Sequence, residues 1–239
     1  MQNPKVSLVI PAYNEEKYLG ACLDHSIKNS AGDFFEIIVV DNASTDRTSE
    51  IAESYPGVRV VWEPRKGLTR ARQRGFLEAS GDIIAYVDAD TKMPAGWYDK
   101  VINEFQNDPG LGCLSGPYIY FDLPRWQQLI LKLYWYSTLP MYFILGYLVV
   151  GGNFAIRKDV LEKMRGFDTS IEFYGEDTNI ARRAQKFGKV KFSLAFAINS
   201  SGRRLSQQGL PTMAGLYVFN FFSEVLTHRP FTKKYIDVR

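Results

Sequence analysis

Two aspartates separated by one residue, Asp88 and Asp90, follow a short apolar run, Ile83–Val87. Carboxylates that leave a buried strand at a turn can direct hard oxygen ligands to one point. Mg²⁺ and Mn²⁺ accept one or two such carboxylates and complete their coordination with water and with phosphate oxygens of a substrate. For an isolated pair, a turn capped by aspartate is the commoner explanation. The pair therefore predicts a cation site only if other polar residues meet it.

Two further strand ends carry such residues. Residues 11–15 (Pro-Ala-Tyr-Asn-Glu) follow the first predicted strand, and residues 41–46 (Asp-Asn-Ala-Ser-Thr-Asp) follow the second. Asp41 and Asn42 together offer an acceptor and a donor to the edge of a nucleobase, and Tyr13 offers a ring on which a base can stack. Turn and helix-cap chemistry is the alternative use of the residues in the second segment. The two ends favour a nucleotide site beside the aspartate pair.

Phosphate groups at such a site need positive charge, because the chain has neither of the glycine-rich phosphate-binding motifs, GxGxxG and GxxxxGK[ST]. Five cationic residues lie between positions 65 and 74, namely Arg65, Lys66, Arg70, Arg72 and Arg74. We predict that Arg72 points inward and that at least half of the five form a solvated helix face. Two further basic residues, Arg203 and Arg204, follow a Ser-Ser-Gly segment. We predict that Arg204 closes over a diphosphate and that Arg203 lies at the surface.

The elements between these clusters follow from the hydrophobic pattern. Strands are predicted at Val6–Ile10, Glu36–Val40, Val58–Trp62 and Ile83–Val87. Helices are predicted at Glu16–Lys28, Asp46–Ser54 and Thr69–Ala79, with Ser44 and Thr45 as candidate caps of the second. The strand runs are mostly continuous apolar, which is typical of strands covered on both faces. The alternation predicts an α/β fold, a mostly parallel twisted sheet flanked by helices with a helical C-terminal portion, whose ligands bind beyond the carboxyl ends of the strands.

Composition narrows the functional classes. The 239 residues are 46% hydrophobic and 23% charged, which excludes disorder and coiled coil, and 29 basic against 26 acidic residues exclude a non-specific nucleic-acid binder. Cys22 and Cys113 form no CxxC motif, and two histidines cannot build a zinc site by themselves. Residues 1–6 show no start of a signal peptide, so we expect a cytoplasmic location, and we expect the basic residues 233–239 to fray.

The ordered motifs, residues 11–15, 41–46, Asp88-Ala89-Asp90 and Gly175-Glu176-Asp177, resemble those of glycosyltransferase family 2. The resemblance covers residues 5 to about 205. It implies an inverting, metal-dependent enzyme of the GT-A fold that uses a nucleoside-diphosphate sugar such as a UDP- or GDP-sugar. The Trp of the Gln/Arg-x-x-Arg-Trp motif is absent near residues 202–205, which argues against processive synthesis.

The resemblance also assigns roles to single residues. The nucleotide sugar would be contacted by Pro11, Ala12, Tyr13, Glu15, Asp41, Asn42, Arg72, Asp88 and Ala89. Asp90 would ligate Mn²⁺ or Mg²⁺ directly, with Asp88 facing the ribose or a metal-bound water. Asp177 would be the catalytic base, and Glu176 would support hydroxyl groups of the sugar or acceptor. From the residues alone, the commoner explanation of Asp177 is an acid that the helix dipole favours in the first turn of a helix, here predicted at Asp177–Phe187.

The second half of the chain is rich in aromatic residues, with ten among the 30 residues from Tyr118 to Tyr147. Leu133–Val150 carries no charge but contains Pro140 and Gly146, and a crossing would put the aspartate motifs on opposite sides of a bilayer. The segment therefore predicts helices at a membrane interface, a groove for a lipid-linked acceptor, or a buried helical core.

The turn at Gly152 and Asn153 leads into another predicted strand and is expected to contact the sugar or acceptor. A tight turn without ligand contact is the alternative. A last helix is predicted at Met213–Leu226.

We therefore predict one domain over residues 1–239, with the nucleotide sugar bound by residues 1–115 and the acceptor by residues 116–239. The expected acceptor is a sugar or a lipid-linked molecule, and the protein would lie in the cytoplasm or at the inner face of the cell membrane. A nucleotidyltransferase and a non-catalytic module that binds nucleotide sugars at a membrane surface remain as alternatives.

Overall fold

The computed structural model describes residues 3–232. The predictions for the first two residues and for the basic segment 233–239 lie outside this range. The strands are β1 Val6–Ala12, β2 Glu36–Asp41, β3 Val58–Trp62, β4 Ile83–Val87, β5 Thr91–Lys92, β6 Leu111–Ser115, β7 Tyr118–Tyr120, β8 Asn153–Arg157, β9 Lys189–Phe192 and β10 Ile198–Ser200. The helices are α1 Leu19–Asn29, α2 Thr48–Glu53, α3 Leu68–Glu78, α4 Trp97–Asn107, α5 Arg125–Ser137, α6 Leu139–Leu145, α7 Lys158–Lys163, α8 Glu176–Ala184, α9 Arg203–Gln208 and α10 Leu210–Thr227.

Seven strands form a mostly parallel sheet in the order β3-β2-β1-β4-β8-β6-β9. Strand β8 is antiparallel to both of its neighbours, β4 and β6, whereas the other pairs are parallel. A second sheet of three short strands, β5-β10-β7, joins the segment after Asp90 to residues near position 200. The carboxyl ends of β1, β2 and β4 meet at one rim of the large sheet, as the sequence predicts.

Both faces of the large sheet are covered, which explains the continuous apolar strand sequences. On one face, Leu8 and Ile10 of β1 join a cluster with Leu23 of α1 and Val101 of α4. On the other face, Val9 of the same strand joins a cluster with residues of α3, α7 and α8. The two clusters hold the strands in place, so the rim is a rigid platform for the loops.

The predicted strand positions agree with the structure, with β1 longer by Pro11 and Ala12 and β2 longer by Asp41. The prediction that Ser44 or Thr45 caps α2 is wrong. The Ser44 hydroxyl accepts a hydrogen bond from the Asn14 N–H at 3.0 Å, and the Thr45 N–H donates to Asn14 Oδ1 at 2.8 Å. Arg47 is the N-cap residue of α2 and makes no side-chain capping bond, whereas Asp46 Oδ1, one residue earlier, accepts from the Thr48 N–H at 3.0 Å.

The aromatic segment of the second half forms helices α5 and α6, and neither helix contains a buried residue. The side chains of Phe143 and Ile144 are 75% and 77% exposed, and Trp126 and Leu133 are also exposed. The alternative of a buried helical core is therefore wrong for these helices. Within residues 3–232, no helix combines the length and the apolar character needed to cross a membrane.

Candidate active site

The rim of the large sheet opens into a cavity of about 480 Å³. The cavity is lined by these predicted site residues: Pro11, Glu15, Arg72, Asp88, Ala89, Asp90, Gly152, Glu176, Asp177 and Arg204. The other predicted residues, Ala12, Tyr13, Asp41, Asn42 and Asn153, lie outside its lining. Asp90 and Asp177, which are far apart in the sequence, therefore face one space.

Arg72 of α3 is the inward-facing cation of its stretch, with 1% of its surface exposed. Its Nη1 lies 2.7 Å from Glu176 Oε2, and its Nη2 lies 3.6 Å from Asp88 Oδ1. The guanidinium also lies 5.7 Å from the centroid of the Phe154 ring. Arg72 therefore holds two acidic residues from distant parts of the chain together at the floor of the cavity, and contact with phosphates stays a prediction.

The Asp88 carboxylate is held in one orientation by its neighbours. The Tyr118 hydroxyl donates a hydrogen bond to Asp88 Oδ2 at 2.9 Å. A Cβ atom on Gly152 would lie only 2.0 Å from the same oxygen and 2.2 Å from the Tyr118 hydroxyl. Glycine at position 152 is therefore required for the close approach of the chain to this carboxylate. The predicted contact of Gly152 with a sugar or acceptor stays a prediction.

Asp90 is paired with a residue that the sequence places at the surface. Arg203 Nε lies 3.1 Å from Asp90 Oδ2, and the other end of the guanidinium pairs with the buried Glu15 carboxylate. The Ser201 N–H donates to the Asp90 carbonyl oxygen at 3.1 Å, so the small sheet fixes the position of Arg203. The prediction of a surface position for Arg203 is wrong, because the pairing of β10 with β5 brings this residue to Asp90. In the sequence, the Ser-Ser-Gly-Arg-Arg segment marks a loop with two basic residues but does not show this pairing.

The two acids at the start of α8 differ in surroundings. Asp177 Oδ1 accepts a hydrogen bond from the Thr178 N–H at 2.8 Å, and burial raises the pKa of Asp177 above the ordinary aspartate value. Burial raises the pKa of Glu176 to about 7, although Arg72 opposes the rise. An acid with a raised pKa is a better proton acceptor once it is ionised, so Asp177 is suited to act as a base.

Asn42 organises loops rather than offering a free donor. Its amide group donates to the carbonyl oxygens of Glu63 at 3.0 Å and Arg65 at 2.8 Å. Its Oδ1 accepts from the Gly67 N–H at 2.8 Å. Both amide hydrogens are used within the protein, so the prediction that Asn42 donates to a nucleobase is not supported. The residue instead joins the end of β2 to the start of α3.

Asp41 has a similar role, because its Oδ1 accepts from the Ser44 N–H at 2.9 Å and its Oδ2 accepts from the Ser49 hydroxyl. It is almost fully buried. Tyr13 is partly exposed, and Lys66 Nζ lies 4.3 Å from the centroid of its ring and contacts its hydroxyl. One face of the ring is thus occupied by a cation, and base stacking on Tyr13 stays a prediction for the other face.

Asn153 is fully buried, and the prediction that it contacts a sugar or an acceptor is wrong. Its Oδ1 accepts from Trp97 Nε1 at 2.9 Å, and its amide group donates to the carbonyl oxygens of Gly116 at 3.0 Å and Phe196 at 2.7 Å. These bonds satisfy the side chain and fix the start of β8. Asn153 thereby positions Gly152 against the acidic residues.

Much of the cavity wall is apolar or aromatic. These wall residues belong to α5, α6 and α10, among them Ile130, Leu131, Tyr134, Trp135, Met141, Tyr142, Ala214, Tyr217, Val218 and Phe221. The same helices expose other apolar side chains, such as Phe143, Ile144 and Phe219, so the carboxylates and an apolar surface belong to the same part of the molecule. α10 is anchored to α8 by the buried Glu224, which contacts Arg182 Nη2 at 3.1 Å and Asn179 Nδ2 at 3.0 Å.

The residues suit a divalent cation that is completed by a ligand. In the described part of the chain, no cluster of three or more His, Cys, Asp or Glu side chains is placed to hold a metal. Asp88 and Asp90 offer hard oxygen donors to the same cavity, and Mg²⁺ and Mn²⁺ commonly take only one or two carboxylates together with substrate phosphates. The donor set therefore fits these cations when a phosphate ligand shares the site.

A mostly parallel sheet with acidic residues at its rim and an antiparallel strand beside β4 defines the GT-A class of fold. The family model described as glycosyl transferase family 2 matches residues 7–165, and the chain belongs to this family.

Individual proteins extend the comparison. The dolichol-phosphate mannosyltransferase of Pyrococcus furiosus is 34% identical over 170 residues, 66% of this chain and 47% of that protein. A mannosyltransferase from Pyrobaculum calidifontis, solved with GDP-Man and Mn²⁺, has a TM-score of 0.69 at 22% identity, over 95% of this chain and 65% of that one. Glucosyl-3-phosphoglycerate synthase from Mycobacterium tuberculosis, solved with Mn²⁺, UDP and phosphoglyceric acid, has a TM-score of 0.62 at 20% identity, over 94% of this chain and 78% of that one. The aligned regions span only 30% to 47% of four curated relatives.

Proposed function

We propose that this protein transfers a sugar from a nucleoside-diphosphate sugar to an oxygen of an apolar, lipid-linked acceptor, with inversion at the anomeric carbon. The observation that carries the proposal is that one cavity is lined both by Asp90 and Asp177 and by apolar and aromatic side chains of α5, α6 and α10. A donor and a lipid-like acceptor can meet in such a space, because charged and apolar binding surfaces are continuous within it.

For the donor, the loops after β1 and β4 supply residues to the cavity wall, and the loop after β2 lies behind them. Tyr13 and Pro11 lie on the side of the nucleoside, and Arg204 and Arg72 provide positive charge near the diphosphate. Asp88 and Asp90 would hold Mn²⁺ or Mg²⁺, which supplies Lewis-acid stabilisation of the departing diphosphate when bound. The complexes of the two solved neighbours with Mn²⁺ and a guanine or uracil nucleotide support this choice of ligands.

Asp177 is the proposed base. It lies at the start of α8 beside Glu176, on the same cavity as the aspartate pair. A carboxylate that takes the acceptor proton on the side of the sugar opposite to the leaving group produces inversion in one displacement. Glu176, held by Arg72, would accept a hydrogen bond from a sugar or acceptor hydroxyl. Residues 1–115 would thus bind the donor, and residues 116–239 would bind the acceptor.

The composition of α5, α6 and α10 supports the proposed class of acceptor. Residues 123–148 contain no acidic residue, and Glu224, which is fully buried, is the only one in residues 205–232. The exposed side chains of α5, α6 and α10 are mostly apolar or aromatic, with hydroxyl residues such as Ser137 and basic residues such as Arg125 and Lys132 between them. Such a surface suits the headgroup region of an anionic bilayer. We propose a peripheral position at the cytoplasmic face of the cell membrane, where a lipid-linked acceptor would be available.

The experiment that tests the donor assignment is a thermal-shift screen of UDP-, GDP- and dTDP-sugars with and without Mn²⁺. A ligand that binds only the folded state increases the free energy of unfolding, by about 2.7 kcal/mol at a ligand concentration of about a hundred times its Kd, and the melting temperature rises as a result. We expect one nucleotide class to act and to require Mn²⁺, and Asp90→Ala to remove the effect. Melting that is insensitive to every donor in the presence of Mn²⁺ would contradict the assignment.

A second measurement distinguishes the other functions. The protein is incubated in detergent with the selected donor and a sugar linked to a polyprenyl diphosphate, because the sugar hydroxyl groups carry the proton that the proposed base takes, and the released nucleotide is identified. Release of a nucleoside diphosphate with a lipid that has gained a sugar supports the proposal. Pyrophosphate released from a nucleoside triphosphate and a sugar phosphate would indicate a nucleotidyltransferase, whereas binding without any turnover or donor hydrolysis would indicate a non-catalytic module.

A further inference from the structure

We propose that Arg203 is an exchangeable counter-ion for the carboxylates of the cation site, so that a divalent cation must displace its guanidinium from Asp90 in order to bind. This inference rests on the proposed function, because it assumes that the cation binds at Asp90. It assigns to Arg203 a role in controlling cation affinity.

The geometry of the pair supports competition. Arg203 reaches Asp90 with Nε at 3.1 Å, and its Nη2 contacts Glu15, so one guanidinium neutralises two carboxylates. The side chain of Arg203 is 16% exposed, and those of Asp90 and Glu15 are 14% and 3% exposed. Two cations beside one carboxylate repel each other, and the repulsion is weakly screened where water is scarce. Arg203 and a divalent ion therefore do not share Asp90 without a loss of affinity.

The backbone holds Arg203 in position for this role. β10 pairs with β5 directly after Asp90, with Ser200 opposite Thr91. Asp122 accepts hydrogen bonds from the Ser201 hydroxyl at 2.6 Å and the Gly202 N–H at 2.5 Å. The start of α9 is thus fixed, whereas the guanidinium of Arg203 is held by side-chain contacts with the two carboxylates and with the Tyr18 ring, whose centroid lies 4.6 Å away. Exchange requires a rotamer change of one side chain and no unfolding of the small sheet.

The experiment measures Mn²⁺ binding to the protein alone, without any sugar donor, from the electron paramagnetic resonance signal of free Mn²⁺. We expect Arg203→Gln to bind Mn²⁺ about tenfold more tightly than the wild type. A change of about tenfold is expected if Arg203 occupies the carboxylate about 90% of the time, because only the remaining tenth of the wild-type molecules can then bind the ion. Arg47→Gln is the matched control, because it removes the same charge from an exposed arginine that pairs with Glu50 at 3.0 Å and does not line the cavity. For this control we expect a change of less than about threefold.

The outcomes separate the two proposals. Unchanged or weaker Mn²⁺ binding by Arg203→Gln, or equal tightening in both variants, would overturn the counter-ion role. If Arg203→Gln fails to fold by circular dichroism, Arg203→Met decides, because it keeps an unbranched side chain, removes the positive charge and should also tighten Mn²⁺ binding. Equal or weaker binding by the Met variant would overturn the role. If the wild type binds no Mn²⁺ even with GDP or UDP present, the cation of the proposed function fails, and this inference fails with it.

Discussion

Replacing Asp177 with asparagine tests the proposed base with the smallest change of shape. The Oδ1 atom of asparagine can still accept the Thr178 N–H that Asp177 accepts at 2.8 Å, so the start of α8 should keep its structure. The substitution therefore removes the proton-accepting carboxylate and keeps the shape of the side chain. A positioned base contributes about 10²- to 10⁴-fold to a rate, so we expect a loss of about 10³-fold, or about 4 kcal/mol in the activation free energy.

The assay follows nucleoside diphosphate release in the presence of acceptor, and calorimetry measures donor binding with Mn²⁺, which should change less than about threefold because the donor contacts are unaltered. Burial raises the pKa of Asp177, and only its ionised form accepts a proton, so the wild-type rate should fall as the pH drops through that raised pKa. Glu172→Gln, which removes an exposed acid from the preceding loop, is the control and should leave the rate unchanged. An Asp177→Asn variant that keeps more than about a tenth of the activity would refute the assignment.

Three further predictions follow from the contacts. Arg72→Met should destabilise the fold by about 3 kcal/mol at pH 8, because ionised Glu176 loses its cation, and by less at pH 5, where Glu176 is protonated. Urea unfolding at both pH values measures this difference, and an equal loss of stability at both would contradict the prediction. Gly152→Ala should abolish donor binding, since its Cβ would lie 2.0 Å from a carboxylate oxygen, whereas Gly215→Ala, with open space around it, should bind donor normally in calorimetry. Phe143→Gln should weaken sedimentation with anionic vesicles about threefold or more without changing the melting temperature, and unaltered sedimentation would argue against this surface as the membrane contact.

Much of the fold could be predicted from local patterns. The runs at β3 and β4 have the predicted bounds, because a short β-branched segment between turn residues has few other stable conformations. The polar residues after β1, β2 and β4 meet at one rim because parallel strands place their carboxyl ends together. Asp88 and Asp90 belong to this predictable group. Asp177 required the family resemblance, because an acid in the first turn of a helix is common on any helix.

The side-chain assignments were less predictable. Asn42 and Asn153 have the polar atoms that a ligand site needs, but both are used to satisfy buried backbone groups. A sequence does not show whether a polar side chain faces a ligand or an unpaired carbonyl, since both uses demand the same chemistry. The exposed helices α5 and α6 show the same limit, because an apolar segment has the same sequence whether it is buried or lies at the surface.

The amino-acid sequence alone determined the class of fold, the rim at which the site forms and the acidic residues that belong to it. The tertiary structure decided which residues meet across long separations: Arg72 with Glu176, Arg203 with Asp90, and the carboxylates with the apolar helices. The physical reason is that secondary structure depends on neighbours within a few residues, whereas an ion pair depends on the packing and register of whole elements. The pairing of β10 beside β5, which places Arg203 against Asp90, is a contact of this kind.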